Sequence, residues 1–172
     1  MNLHLEAVSA AAASGAIVQT AWIEAAIASH AKFYPRGPFV SVDLAQLILE
    51  SNWGRRTSGK NNYFGIKATP AQIAAGKATE VWTKEQRPNG EVYSIQAYFA
   101  DYDSLEECFD AHATLLTTSR YMDCENAPTP EAYCYALHAD GYATALVYAT
   151  ALIQIINQFN LKQYDPPAPP VA

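Results

Sequence analysis

Glu50 is the residue whose surroundings suggest chemistry. It closes the most apolar stretch of the chain, Leu44 to Leu49, and is followed at once by Ser51-Asn52-Trp53-Gly54. Burial would disfavour its ionised form. The negative end of its own helix, just ahead of the Gly54 stop, acts the same way. Trp53 would add a low-dielectric wall. A carboxylic acid kept protonated near neutral pH is what acid-catalysed cleavage of a glycosidic bond requires. The competing reading is a helix-end glutamate turned to solvent, and position alone favours that one.

Other chemistries are excluded. There is no GxGxxG, no phosphate-binding GxxxxGK and no GxSxG. The histidines (His4, His30, His112, His138) lack metal-ligand spacing, and His112 falls on an apolar stripe that reads as core. Cys108, Cys124 and Cys134 are an odd number without CxxC spacing, so reduced, half-buried thiols are expected. One pair could still close in an oxidising compartment. No metal and no cofactor is expected.

The elements that must position Glu50 read as helices, then a hairpin, then helices. The spacing of Val18, Ala21, Trp22 and Ala25 predicts a helix over about 17–31. Val42 to Glu50 is apolar nearly all round and belongs in the core, with Ser41 as N-cap and Asp43 favoured by the helix dipole. Thr79–Glu85 and Glu91–Phe99 are strand-like and flank Pro88-Asn89-Gly90, a hairpin signal. Ser104 to Glu107 reads as a capping box ahead of Leu105, Cys108, Phe109, His112 and Leu116. Thr129-Pro130 opens a helix that Gly141 closes, and Ala145 to Phe159 carries the last helical period. The expectation is one domain over 1–165 with a β-lobe at about 79–100. A proline-rich tail, 166–172, should lie outside the fold.

Composition narrows the partners. The chain has 172 residues, a net charge of −6, half its residues hydrophobic and only 16% charged. That suits a folded core and excludes a disordered chain. The acidic balance argues against a nucleic-acid module, which needs a basic face. No segment reaches the ~20 apolar residues of a membrane span. Met1 to Gly15 lacks the basic region of a secretory signal peptide.

Five blocks together resemble glycoside hydrolase family 73, the peptidoglycan N-acetylglucosaminidases. SVDLAQLILESNWG, Ser41 to Gly54, is similar to the family's catalytic-helix signature. NNYFGIKA, Asn61 to Ala68, resembles its NN-x-FGIK block. Thr83-Lys84-Glu85 with Asn89-Gly90 resembles its T-x-E…NG hairpin, and Phe99 to Ser104 its F-x-x-Y-x-S turn. Gly141 to Thr144 with Tyr148-Ala149 resembles its GYAT…YA segment. After GYAT the family usually has Asp-Pro, where this chain has Ala145-Leu146.

The resemblance implies an α+β, mainly α, lysozyme-like domain with a small β-hairpin lobe beside the cleft. It implies that Glu50 is the general acid and Glu85 the second acid on the lobe. Glu80 is the rival, and strand alternation puts the two on opposite faces. Tyr142 matches the cleft tyrosine expected to contact the sugar. Tyr63, Phe64 and Trp82 are candidates to wall the cleft or stack on sugar, with core packing the other reading for each. The implied reaction is hydrolysis of the β-1,4 bond on the reducing side of N-acetylglucosamine, by a monomer acting on peptidoglycan glycan strands. Two delivery routes fit: an antibacterial type VI secretion effector, neutralised by a periplasmic immunity protein, or a phage endolysin. Acidic charge favours the effector, acting in the periplasm or cell wall. A lytic transglycosylase and an inactive wall-binding module are the alternatives from other classes.

Overall fold

The computed structural model describes residues 17–86, 91–143 and 147–167, leaving aside the side chains of 84–86. In chain order the elements are α1 (Thr20–Phe33), α2 (Val40–Glu50), α3 (Pro70–Ala74), β1 (Ala78–Gln86), β2 (Val92–Ala100), α4 (Leu105–Leu116), α5 (Met122–Glu125), α6 (Pro130–Ala139) and α7 (Tyr148–Gln158). Two 3₁₀ turns, Ser119–Tyr121 and Leu161–Tyr164, complete them. The architecture is mainly helical with a two-stranded antiparallel sheet.

Helix α2 is the axis of the molecule. Every residue from Val40 to Leu49 is buried. It packs against α1, α6, α7 and the last 3₁₀ turn. Its start differs from the sequence expectation: Phe39 is the N-cap, and Ser41 lies inside the helix. The Ser41 amide donates to Asp165 Oδ1 at 2.8 Å, so a distant carboxylate does the capping that Ser41 was expected to do.

The end of α2 is tightly specified. Asn52, Trp53 and Gly54 follow one another in the left-handed region, at φ 48°, 63° and 69°. A Cβ on Gly54 would meet Trp22 Cζ2 at 2.7 Å, so glycine is required twice over, by conformation and by space. Ser51 Oγ donates to the Leu47 carbonyl at 2.6 Å and accepts from the Gly54 amide at 2.7 Å. Trp53 turns into the core and packs edge-on against Phe159, with ring centroids 4.8 Å apart.

The hairpin pairs β1 with β2 from Ala78↔Ala100 to Gln86↔Val92. Pro88-Asn89-Gly90, the expected turn, lies outside the described residues. Phe99 and Ala100 are buried, so the ribbon is rooted in the body at that end. Asn62 reinforces the root, donating to the Ile66 and Ala100 carbonyls at 2.9 and 2.8 Å.

Several local expectations shift. Ser104 Oγ accepts from the Glu107 amide, but the Glu107 carboxylate takes the Asp103 amide, so only half of the expected box forms. Thr129 caps α6 ahead of Pro130, and Gly141, at φ 77°, closes it. Helix α7 begins at Tyr148, and Thr144 to Leu146 lie outside the described residues. Helix α3, with a reciprocal capping box between Thr69 and Gln72, was not foreseen. The three cysteines are free and fully buried rather than half-buried. Pro166 and Pro167 line a pocket instead of lying clear of the fold, and 168–172 lie outside the described residues.

Candidate active site

Helix α2 carries Asp43, Gln46 and Glu50 at i, i+3 and i+7, one face of a helix. Each meets a partner from the C-terminal half. Gln46 Nε2 donates to the Tyr148 hydroxyl at 3.0 Å, and that hydroxyl donates to Glu50 Oε1 at 2.9 Å. Tyr148 stacks on Tyr142, with ring centroids 5.8 Å apart and planes at 29°. The Tyr142 hydroxyl lies 3.3 Å from His112 Nε2, and His112 Nδ1 lies 2.8 Å from Asp43 Oδ1. Phe64 stacks flat on His112, 3.8 Å away at 2°. A polar circuit thus leaves α2 at Asp43 and returns to it at Gln46 and Glu50.

Its electrostatics single out Glu50. The residue is exposed at the helix end, so water reaches it from one side. Burial by the protein on its other sides pushes the carboxyl up to about 7, and the hydrogen bond from Tyr148 pulls the other way. Water on the open side screens part of that effect. Burial first, and the Glu50 charge second, hold the Tyr142 and Tyr148 hydroxyls well above the ordinary range, so both stay protonated. A carboxyl poised near neutrality and open to solvent can give a proton to an incoming oxygen and take it back from water.

The other expected residues are placed less centrally. Tyr142 joins Glu50 in the circuit. Phe64 is buried behind His112, so it supports the site from within and does not wall it. Tyr63 is half-buried against the core. Trp53 backs the turn through Phe159, and no described contact makes it a wall of Glu50. Trp82 is 67% exposed and pairs across the ribbon with Gln96. It shares the outer face with Glu80 and Tyr98, opposite the face of Val81, Thr83 and the buried Phe99. Glu85 pairs with Tyr93 along the ribbon, and its side chain, expected to carry the second acid, lies outside the described ones.

Sequence reasoning missed Asp43, Gln46, His112 and Tyr148 as parts of the site. One signal was present: two more polar residues at helical spacing from Glu50 on a helix otherwise apolar. A pocket of about 230 Å³ lies elsewhere, lined by His30, Tyr34, Phe39, Tyr133 and Pro166 among others, and includes neither Glu50 nor Tyr142. Chemistry, more than hollowness, picks out the site. Among the described residues, no cluster of three or more His, Cys, Asp or Glu could hold a metal, and no helix is long and apolar enough to cross a membrane.

A helical body with a two-stranded ribbon, organised around one protonatable glutamate at a helix end, has the lysozyme-like architecture of a glycoside hydrolase. The glucosaminidase family, described as mannosyl-glycoprotein endo-β-N-acetylglucosaminidase, matches residues 35–161, and the chain belongs to it. It is 39% identical over 122 residues to the peptidoglycan hydrolase FlgJ of Salmonella typhimurium, covering 67% of this chain and 38% of FlgJ. The chain thus spans less than half the length of that relative. The catalytic domain of the autolysin Auto from Listeria monocytogenes superposes with a TM-score of 0.68 at 30% identity, covering 96% of this chain and 89% of that one. A mutant peptidoglycan hydrolase from Sphingomonas sp. A1 superposes at 0.70 and 30% identity, covering 85% and 97%.

Proposed function

We propose that the protein is an endo-β-N-acetylglucosaminidase that cleaves the β-1,4 bond on the reducing side of N-acetylglucosamine in peptidoglycan. The observation that carries the reading is the Glu50 carboxyl, raised to about 7 and hydrogen-bonded by Tyr148 on a glucosaminidase scaffold. FlgJ and the Sphingomonas protein, both peptidoglycan hydrolases, support the substrate. In this reading Glu50 protonates the leaving oxygen. The charge that develops at the anomeric carbon is met by the substrate's own 2-acetamido group or by water activated by Glu85. Carboxylates about 5–5.5 Å apart would serve a covalent retaining route, and about 6.5–9.5 Å an inverting one. Borohydride reduction of digested peptidoglycan, followed by mass spectrometry, should give N-acetylglucosaminitol. N-acetylmuramitol would mean a muramidase, and anhydro-muramic acid a transglycosylase.

The site of action proposed is the periplasm or cell wall, with delivery as an effector restrained by an immunity protein. The acidic charge supports that route over an endolysin. Expression in the bacterial cytosol should then be tolerated, and fusion to a signal peptide should cause lysis that depends on Glu50. Lysis from the cytosolic form alone would refute this placement. A neighbouring gene product that binds and protects would support the effector route, and its absence would favour the endolysin.

A further inference from the structure

Asp43 and His112 are both completely buried, and neither has a described hydrogen bond to Glu50. Their only described polar link outward is through the Tyr142 hydroxyl. The direction of that link follows from counting protons. One proton lies between Asp43 Oδ1 and His112 Nδ1, whichever atom carries it. With that proton alone, the pair is an anion sealed in the core, which is costly without compensation. The other charges that act on Asp43 are His30 and Asp165, and they pull in opposite directions. A second proton makes the pair neutral overall. On Asp43 Oδ2 it would have no acceptor, because that oxygen is buried without a partner. On His112 Nε2 it has one, the Tyr142 oxygen.

We infer that Asp43 and His112 are positioning residues: the pair keeps a proton on His112 Nε2, so Tyr142 accepts from the imidazole and its own O–H is released as a donor toward the bound glycan. The inference rests on the glycan-cleaving reading proposed above. Tyr142 is half-buried, so part of it remains open to the surface, and it stacks on the tyrosine that holds Glu50. Tyr148 cannot take this role, because its hydroxyl hydrogen is committed to Glu50 and its oxygen to Gln46. Tyr142 would therefore hold an acceptor oxygen of the sugar while Glu50 works on the leaving oxygen. The flat stack of Phe64 keeps the imidazole plane from turning away.

Two measurements test this. Nitrogen-15 NMR of His112 in the full chain, assigned with His112→Gln, should find Nε2 protonated near neutral pH; a bare Nε2 overturns the inference. This arm uses the unaltered protein and needs no activity. The second arm is a double-mutant cycle on soluble glycan fragments. Tyr142→Phe should lower kcat by about 10²-fold. Asp43→Asn should lower it by about 10-fold, because asparagine can accept from Nδ1–H without a second proton in the pair. Once Tyr142 is Phe, adding Asp43→Asn should cost less than about 2-fold more, with KM nearly unchanged throughout. Losses that multiply would show that Asp43 acts by another route and would overturn the inference. An unaltered protein inactive on every glycan would sink the function reading. A bare Nε2 in an active enzyme would sink only the positioning role.

Discussion

The two regions that carry the candidate acids are built in opposite ways. Glu50 ends a helix buried on every side and is held by Tyr148, which is itself held by Gln46. Glu85 sits far along a two-stranded ribbon whose outer face is largely open and whose buried residues, Phe99 and Ala100, are all at its root. A two-stranded ribbon has little stability of its own. The core thus fixes the first candidate acid, and the second candidate is carried on an element with little packing of its own beyond its root. Proton donation needs a raised, well-defined pKa, and the core supplies it. Activation of water needs only a carboxylate brought near at the right moment.

The contrast predicts unequal losses. Glu50→Gln should lower kcat by about 10²–10⁴-fold with the fold intact, checked by turbidity clearing of cell walls and circular dichroism. The same variant tests the electrostatics. Glu50 keeps its proton up to about 7 in the folded chain, against an ordinary value of 4.5. The folded form therefore binds the extra proton in that window, and stability falls as pH rises through it. Glu50→Gln should melt with the wild type at about pH 4 and above it at about pH 8, and equal melting at both would contradict the burial effect.

Glu85→Gln should cost about 10–10²-fold, less than the first acid, and Glu80→Gln should stay within about 2-fold. If Glu80→Gln proves the more damaging, the facing of the ribbon is reversed. Tyr148→Phe should lower kcat by about 3–10-fold. It removes the hydrogen bond that favours ionised Glu50, so the alkaline limb of the pH–rate profile should move upward, and a downward move would be wrong in sign. Trp82→Ala should change the rate on insoluble walls by less than about 2-fold, as suits a residue on the outer face. A large loss there would mean the glycan runs across that face.

What was legible in the sequence followed from periodicity and punctuation. The apolar run into Glu50, the strand pair and the Thr129-Pro130 start are local signals, and each element formed within a few residues of its expected place. The polar circuit was not legible, because its links join residues far apart. His112 lies on an apolar stripe and is buried there as expected, yet its role depends on Asp43, 69 positions away. Phe64 and Trp53 read as wall residues because aromatics suit both sugars and cores, and sequence spacing does not separate the two. The start of α2 misled for the same reason: Ser41 has the right chemistry for a cap, but the distant Asp165 had already filled that place.

That last bond matters for anyone trimming the chain. The family match ends at residue 161, so a shortened version cut at that border would discard Asp165. The Ser41 amide would then open onto an unfilled position at the head of the helix that ends in Glu50. A lost cap of this kind costs about 1 kcal/mol, and fraying would begin one end of α2 away from the proton donor. A shortened piece that keeps the head of this helix capped therefore has to run past the border of the family match, as far as Asp165.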